Sequence, residues 1–151
     1  GELLKIKTKD FLLTILGAGT INSSSFPHKS LGFIDDPETI AKVYSAADIF
    51  VIPALEDNLP NTALESLACG TPVVGFKDGG IPDMIRHGEN GLLAEPKDCD
   101  DLADKISQML EDSVLIKKMG AKAREIALNE YDAAIQANNY IQLYQQILAN
   151  V

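Results

Sequence analysis

Apolar residues in the first two thirds of the chain gather in short runs that end at Gly, Pro or acids. These are "FLLTILGAG" (11–19), "KSLGFI" (29–34), "DIFVIPAL" (48–55), "TPVVGF" (71–76) and "GLLAE" (91–95). Most of them do not alternate polar with apolar, which is the pattern of strands buried on both faces. Between them the spacing predicts helices over 36–47, 61–69 and 81–88, the last with Pro82 just inside its start and Gly88 at its end. Strand and helix alternate, which calls for parallel pairing through right-handed crossovers and hence a three-layer α/β sheet.

After Pro96 the periodicity is entirely helical. Leu102, Ile106, Met109 and Leu110 make one face, Leu115, Met119 and Ile126 a second, and Ile135, Ile141, Tyr144 and Leu148 a third. All three are expected to pack on the sheet, with their Met and Tyr side chains as core filler. The opening "ELLKIKTKD" reads as the last turn of a helix, a hint that the chain is a piece of something longer. No repeat, low-complexity tract or long linker interrupts it. The 151 residues fit one domain, 1–151, able to bury roughly 70% of the surface its unfolded chain exposes.

Charge narrows the function classes. Thirteen Lys and Arg against 22 Asp and Glu give a net charge of −9, which opposes broad attraction to nucleic acid or anionic lipid. The apolar runs are too short for a transmembrane segment, and the first ten residues lack the apolar core of a signal peptide. Of the two cysteines, Cys69 lies in an apolar segment, so a reducing, cytoplasmic setting is the natural reading.

In open α/β sheets ligands bind beyond the carboxyl ends of the strands, so the loops after residues 17, 34, 54, 76 and 95 are where chemistry is sought. The segment "ALEDNLPNTALESLACGTPVV" (54–74) crowds Glu56, Asp57 and Glu65 around one of them. Two readings stay open from the residues alone. In the structural one, Thr62 and Glu65 form a capping box, or Asn58 caps the helix and leaves Glu65 too deep to take part. In the functional one, unpaired N–H groups at the helix start hold a phosphate or diphosphate, while the carboxylates accept bonds from vicinal sugar hydroxyls. Acids beside an anion site fit a ligand carrying both diphosphate and sugar.

Other signals are weaker. Gly17-Ala18-Gly19 has the start of a dinucleotide fingerprint, but Asn22 stands where its third small residue belongs. Gly79 and Gly80 open the helix at 81 and allow either a tight turn or close backbone approach to a ligand. His28 and His87 show no metal-ligand spacing and are read as surface residues. The acids at 98, 100, 101 and 104 read as a solvated helix start rather than a calcium loop.

Residues 32–112, with the ordered set "SAADIFVIPAL", "ALESLACGTPVV", "GGIPDMI" and "GENGLLAEP", closely resemble the nucleotide-sugar-binding domain of retaining family 4 (group 1) glycosyltransferases. The resemblance implies the C-terminal half of a GT-B enzyme, a Rossmann-like three-layer parallel sheet with C-terminal helices. It implies a nucleotide diphosphate sugar as donor and no metal or other cofactor. The acceptor, a saccharide or lipid-linked saccharide, would meet an N-terminal domain expected to be absent here, and this domain's own first strand and helix, with the Arg and Lys that neutralise the diphosphate, are expected to be absent too. The full enzyme would be cytoplasmic, with attachment at the inner membrane face left open, and this piece alone inactive.

The family signature is Glu, seven residues, Glu. Aligned on Glu65, its first position falls on Asp57, one methylene shorter; Glu56 competes if the loop shifts by one. The resemblance assigns Asp57 and Glu65 the catalytic positions, with Glu65 on the ribose hydroxyls and Asp57 on the transferred sugar. Backbone amides of Asn58, Leu59, Asn61 and Thr62 would hold the diphosphate, Pro60 having none. The base would lie against the backbone near Phe33 and Ile34. Lys77, the basic residue nearest a strand end, is not given the role of the family's cations. A nucleotide-sugar epimerase of the same architecture and a non-catalytic partner-binding module are the rival readings.

Overall fold

The computed structural model describes Ile6 and residues 11–17, 26–55 and 57–149. Five parallel strands, β1 (Leu13–Leu16), β2 (His28–Gly32), β3 (Phe50–Ile52), β4 (Val73–Phe76) and β5 (Gly91–Ala94), alternate with α1 (Pro37–Ala46), α2 (Asn61–Ala68) and the single turn α3 (Ile81–Met84). Three helices follow: α4 (Cys99–Leu110), α5 (Ser113–Glu130) and α6 (Ala133–Ala149). The α/β class and parallel pairing are those the alternation requires. The described strands form two ladders, β1-β2 and β3-β4-β5, rather than one continuous sheet.

The three-stranded ladder carries the core. All of β4 is buried, and its side chains divide by the period of the pleat. Val73 joins Ile52, Ala63, Leu67, Ile81, Met84, Ala123 and Ala127 on the face covered by α2 and α5. Val74 and Phe76 join Leu92, Ala94, Leu102, Ile106, Met109 and Met119 on the face covered by α4. Two helical layers thus enclose this ladder. Gly75 and Gly91 let the strands and their cover close up: a Cβ would stand 2.8 Å from the Ile52 side chain at Gly75 and 2.1 Å from the Val73 carbonyl oxygen at Gly91.

Three expectations are corrected. First, β1 and β2 are not buried on both faces: His28, Lys29 and Ser30 are exposed, and among the described residues the two strands pack chiefly on each other. Second, the helix expected to reach residue 88 stops at Met84. The buried Asn90 side chain accepts from the Arg86 N–H (2.7 Å) and donates to the Met84 carbonyl (2.9 Å), taking the groups a further turn would pair. Third, α6 does not pack on the sheet. None of its residues is buried, and Ile141, Tyr144 and Leu148 lie on the surface. Its periodicity marks an apolar stripe, but a stripe does not say what covers it.

Polar caps fix the helix starts. Asp36 accepts from the Thr39 N–H and hydroxyl, and those bonds hold its carboxyl below the usual range. Asp98 caps α4 through the Asp101 N–H, and Asp112 caps α5. The acids at 98–104 therefore are a helix start, as expected. The predicted helical turn at 2–10 lies outside the described residues, Ile6 excepted.

Candidate functional site

Beyond β3 the chain turns at Asp57–Pro60 into α2. Asp57 Oδ1 accepts the Leu59 N–H at 3.3 Å, closing an Asx turn that leaves Asn58 and Leu59 exposed. Pro60 occupies the N-cap of α2 with φ −67°, and among the described residues no side chain caps the helix. Neither capping arrangement forms, because the ring at the cap has no acceptor to offer. Glu65 sits in the second turn and does not reach back. The Pro60 carbonyl accepts from Ala63 (3.0 Å) and Leu64 (3.4 Å), while Asn61 and Thr62 lie exposed at the helix head, where amides have no intrahelical partner. The Leu59 amide, in contrast, is already engaged by Asp57.

Gly79 and Gly80 settle against this turn. The Gly80 N–H donates to the Asp57 carbonyl at 2.9 Å. A Cβ at Gly79, whose φ is +57°, would stand 2.3 Å from that oxygen, and one at Gly80 would stand 1.5 Å from the Asn58 carbonyl oxygen. The glycine pair forms a tight turn, and the close approach it allows here is to the backbone of the acid turn itself. The loops after β3 and β4 are thereby joined through their backbones.

Glu65 has a partner that the sequence reading did not single out. Tyr44, on the last turn of α1, is 3% exposed, and its hydroxyl donates to Glu65 Oε2 at 3.2 Å. Its ring stands edge-on to Phe50 of β3 at 5.4 Å, and its carbonyl accepts the Thr71 hydroxyl at 2.7 Å. Burial, and then the Glu65 charge, push the Tyr44 hydroxyl well above the usual tyrosine range, so it stays a neutral donor. A lone Tyr on the inward face of a predicted helix was the available signal, because a buried hydroxyl must find an acceptor. Which acceptor, 21 residues away, was not readable.

The remaining candidates lie apart. Phe33, 80% exposed, and the half-buried Ile34 follow β2 on the other ladder, with no hydrogen bond to the acid turn. Glu56, Ala18, Gly19 and Asn22 lie outside the described residues. His28 is exposed, as is His87, whose Nδ1 accepts the Leu93 N–H at 2.9 Å. Lys77 is exposed at the end of β4. Among the described residues no group of three or more His, Cys, Asp or Glu is placed to hold a metal ion, and no helix is long and apolar enough to cross a membrane.

The described residues thus set an acid-flanked helix start, without a side-chain cap, at the carboxyl end of a parallel ladder. The family described as Glycosyl transferases group 1 matches residues 27–126. The chain belongs to this family. It is 30% identical over 116 residues to N-acetyl-alpha-D-glucosaminyl L-malate synthase of Bacillus anthracis, an alignment covering 77% of this chain and 30% of that protein. Sucrose-phosphate synthase of Thermosynechococcus elongatus superposes with a TM-score of 0.74 at 33% identity, over 82% of this chain and 31% of that one. Anabaena HepE, in complex with UDP and glucose, gives 0.68 at 27% identity, over 84% and 33%. The α/β fold is that of GT-B C-terminal domains. The chain spans about a third of the length of these relatives.

Proposed function

We propose that the chain is the donor-binding domain of a retaining family 4 glycosyltransferase, taking a nucleotide diphosphate sugar without a metal ion. The observation that carries this reading is the start of α2, capped by no side chain among the described residues and lying between Asp57 and Glu65. In this assignment the amides of Asn58, Asn61 and Thr62 bind the diphosphate, Glu65 accepts from the ribose hydroxyls, and Asp57 accepts from the transferred sugar with the oxygen not given to Leu59. The base lies along Phe33 and Ile34. HepE, similar over most of this chain, is in complex with UDP and glucose, which supports the donor class.

As the diphosphate departs it gains negative charge, and the helix start stabilises that charge where it develops. Carboxylate contacts orient the sugar for the acceptor. The cations that share the diphosphate charge, and the acceptor saccharide, belong to the rest of a longer, two-domain protein. The two ladders fit this: the doubly wound order places one more strand between β1 and β3, supplied from outside the described residues. The unpaired cysteines Cys69 and Cys99 agree with a cytoplasmic protein.

Amide spectra recorded with UDP, GDP and ADP test the assignment. One of the three at millimolar concentration should shift residues 57–65, and Glu65→Gln should weaken it about tenfold, the loss of hydrogen bonds to a charged acceptor. No shift with any nucleotide would reject it.

A further inference from the structure

We propose that Tyr44 is a positioning residue: its hydroxyl holds Glu65 in the rotamer that meets the ligand's vicinal hydroxyls. The inference rests on the donor-binding reading of Glu65 given above. Glu65 is an exposed side chain on α2, and a glutamate there has three rotatable bonds to lose when it engages a ligand. Among the described residues no Lys or Arg forms an ion pair with it. Its bond to Tyr44 Oη therefore fixes where the carboxylate points.

Tyr44 is suited to this because both its ring and its backbone are held. The ring is buried against Phe50 on β3, and the Thr71 hydroxyl and Ala47 N–H both bond its carbonyl, tying the end of α1 to the turn between α2 and β4. A carboxylate offers about four lone-pair directions, and the tyrosine takes one, on Oε2. Oε1 and the rest of Oε2 are left to accept two adjacent hydroxyls. A carboxylate already set in its binding geometry spends less ordering entropy on the ligand. A neutral phenol does this without cancelling the charge that makes the acceptor strong, whereas a Lys or Arg partner would compete with the ligand for it.

The experiment compares the diphosphate that binds best among UDP, GDP and ADP with its 2′,3′-dideoxy analogue, on the wild type and on Tyr44→Phe, Glu65→Gln and the double variant, with folding checked by amide spectra. Tyr44→Phe keeps the buried ring and removes only the hydroxyl. The wild type should prefer the ribonucleotide. Tyr44→Phe should bind it about three- to tenfold more weakly, leave the dideoxy analogue unaffected, and add nothing further once Glu65 is Gln. A variant that loses melting temperature but keeps the wild-type preference for ribose would overturn the proposal and leave the donor reading standing. A wild type that binds no nucleotide would overturn both, and one that binds the two equally would overturn the ribose role of Glu65 and this proposal with it. Should Tyr44→Phe fail to fold, the wild-type Glu65 side chain is read directly: carboxyl resonances showing one fixed rotamer before nucleotide is added support the proposal, and rotamer averaging removed only by nucleotide overturns it.

Discussion

The β3-β4-β5 ladder and the β1-β2 ladder are built from similar apolar runs, yet only the first makes a core. Val73, Val74 and Phe76 are enclosed between α2 and α5 on one side and α4 on the other, whereas Leu12, at the mouth of β1, is 61% exposed. The lesson is that an apolar run specifies a strand, and the layers around it decide its energetic weight. The acid turn grows from the enclosed ladder, and the Gly80 N–H ties it to the loop after β4.

Leu67→Ala should break this comparison most visibly. The side chain is fully buried under α5, so the change should cost about 3–5 kcal/mol by chemical denaturation, while Leu12→Ala should cost less than about 0.5 kcal/mol. Next comes Gly80→Ala, which cannot be accommodated without moving Asn58. It should cost about 3 kcal/mol and displace the amides of the acid turn, seen as shifts at 57–60 in the amide spectrum. Equal losses for Leu12→Ala and Leu67→Ala would erase the distinction.

A smaller effect lies at the join of β5 and α4. Asp101 accepts the Glu95 N–H at 2.8 Å and pairs with Lys105 at 3.3 Å; the backbone bond, then the lysine, hold its carboxyl below its usual 3.8. A carboxyl lowered by folding adds stability above its unfolded value and loses it as pH falls through the folded one. Wild type should therefore exceed Asp101→Asn by under about 1 kcal/mol near neutrality, with the gap closing only below pH 3.8 in thermal melts. Smallest of all, Leu148→Ala on the uncovered face of α6 should move the melting temperature within error, a change under about 0.5 kcal/mol.

What could be read from the chain beforehand follows the same division. The strands were legible as apolar runs bounded by Gly, Pro or acids, and α4, with Leu102, Ile106 and Met109 inward, because burial on one face imposes a helical period on sequence. The length of α3 was not, because one buried side chain, Asn90, ends it from six residues beyond. The burial of α6 was not, because a stripe records only a preference. At the site, Asp57 and Glu65 stood out as acids at a strand end, but the capping box was a false match: the pattern of Thr62 and Glu65 is right, and Pro60 in front of it moves the cap. Tyr44 offered only the signal of an inward-facing Tyr, and its acceptor stayed hidden, since the bond is made across two helices.

The outer side of β3 shows what the enclosed ladder leaves undone. β3 pairs with β4 alone, so among the described residues one row of its backbone N–H and C=O groups meets no neighbouring strand, and Phe50, Val51 and Ile52 carry no charge to repel a visitor. For these residues taken alone a line of this kind is a template on which another chain can add itself, whereas in the proposed two-domain protein the strand placed between β1 and β3 would cover it. The remaining defence is colloidal: a net charge of −9 keeps like molecules apart only while the solution does not screen it. Ionic strength thus becomes the handling variable for these residues taken alone, with low salt keeping chains dispersed and concentrated salt favouring edge-to-edge association.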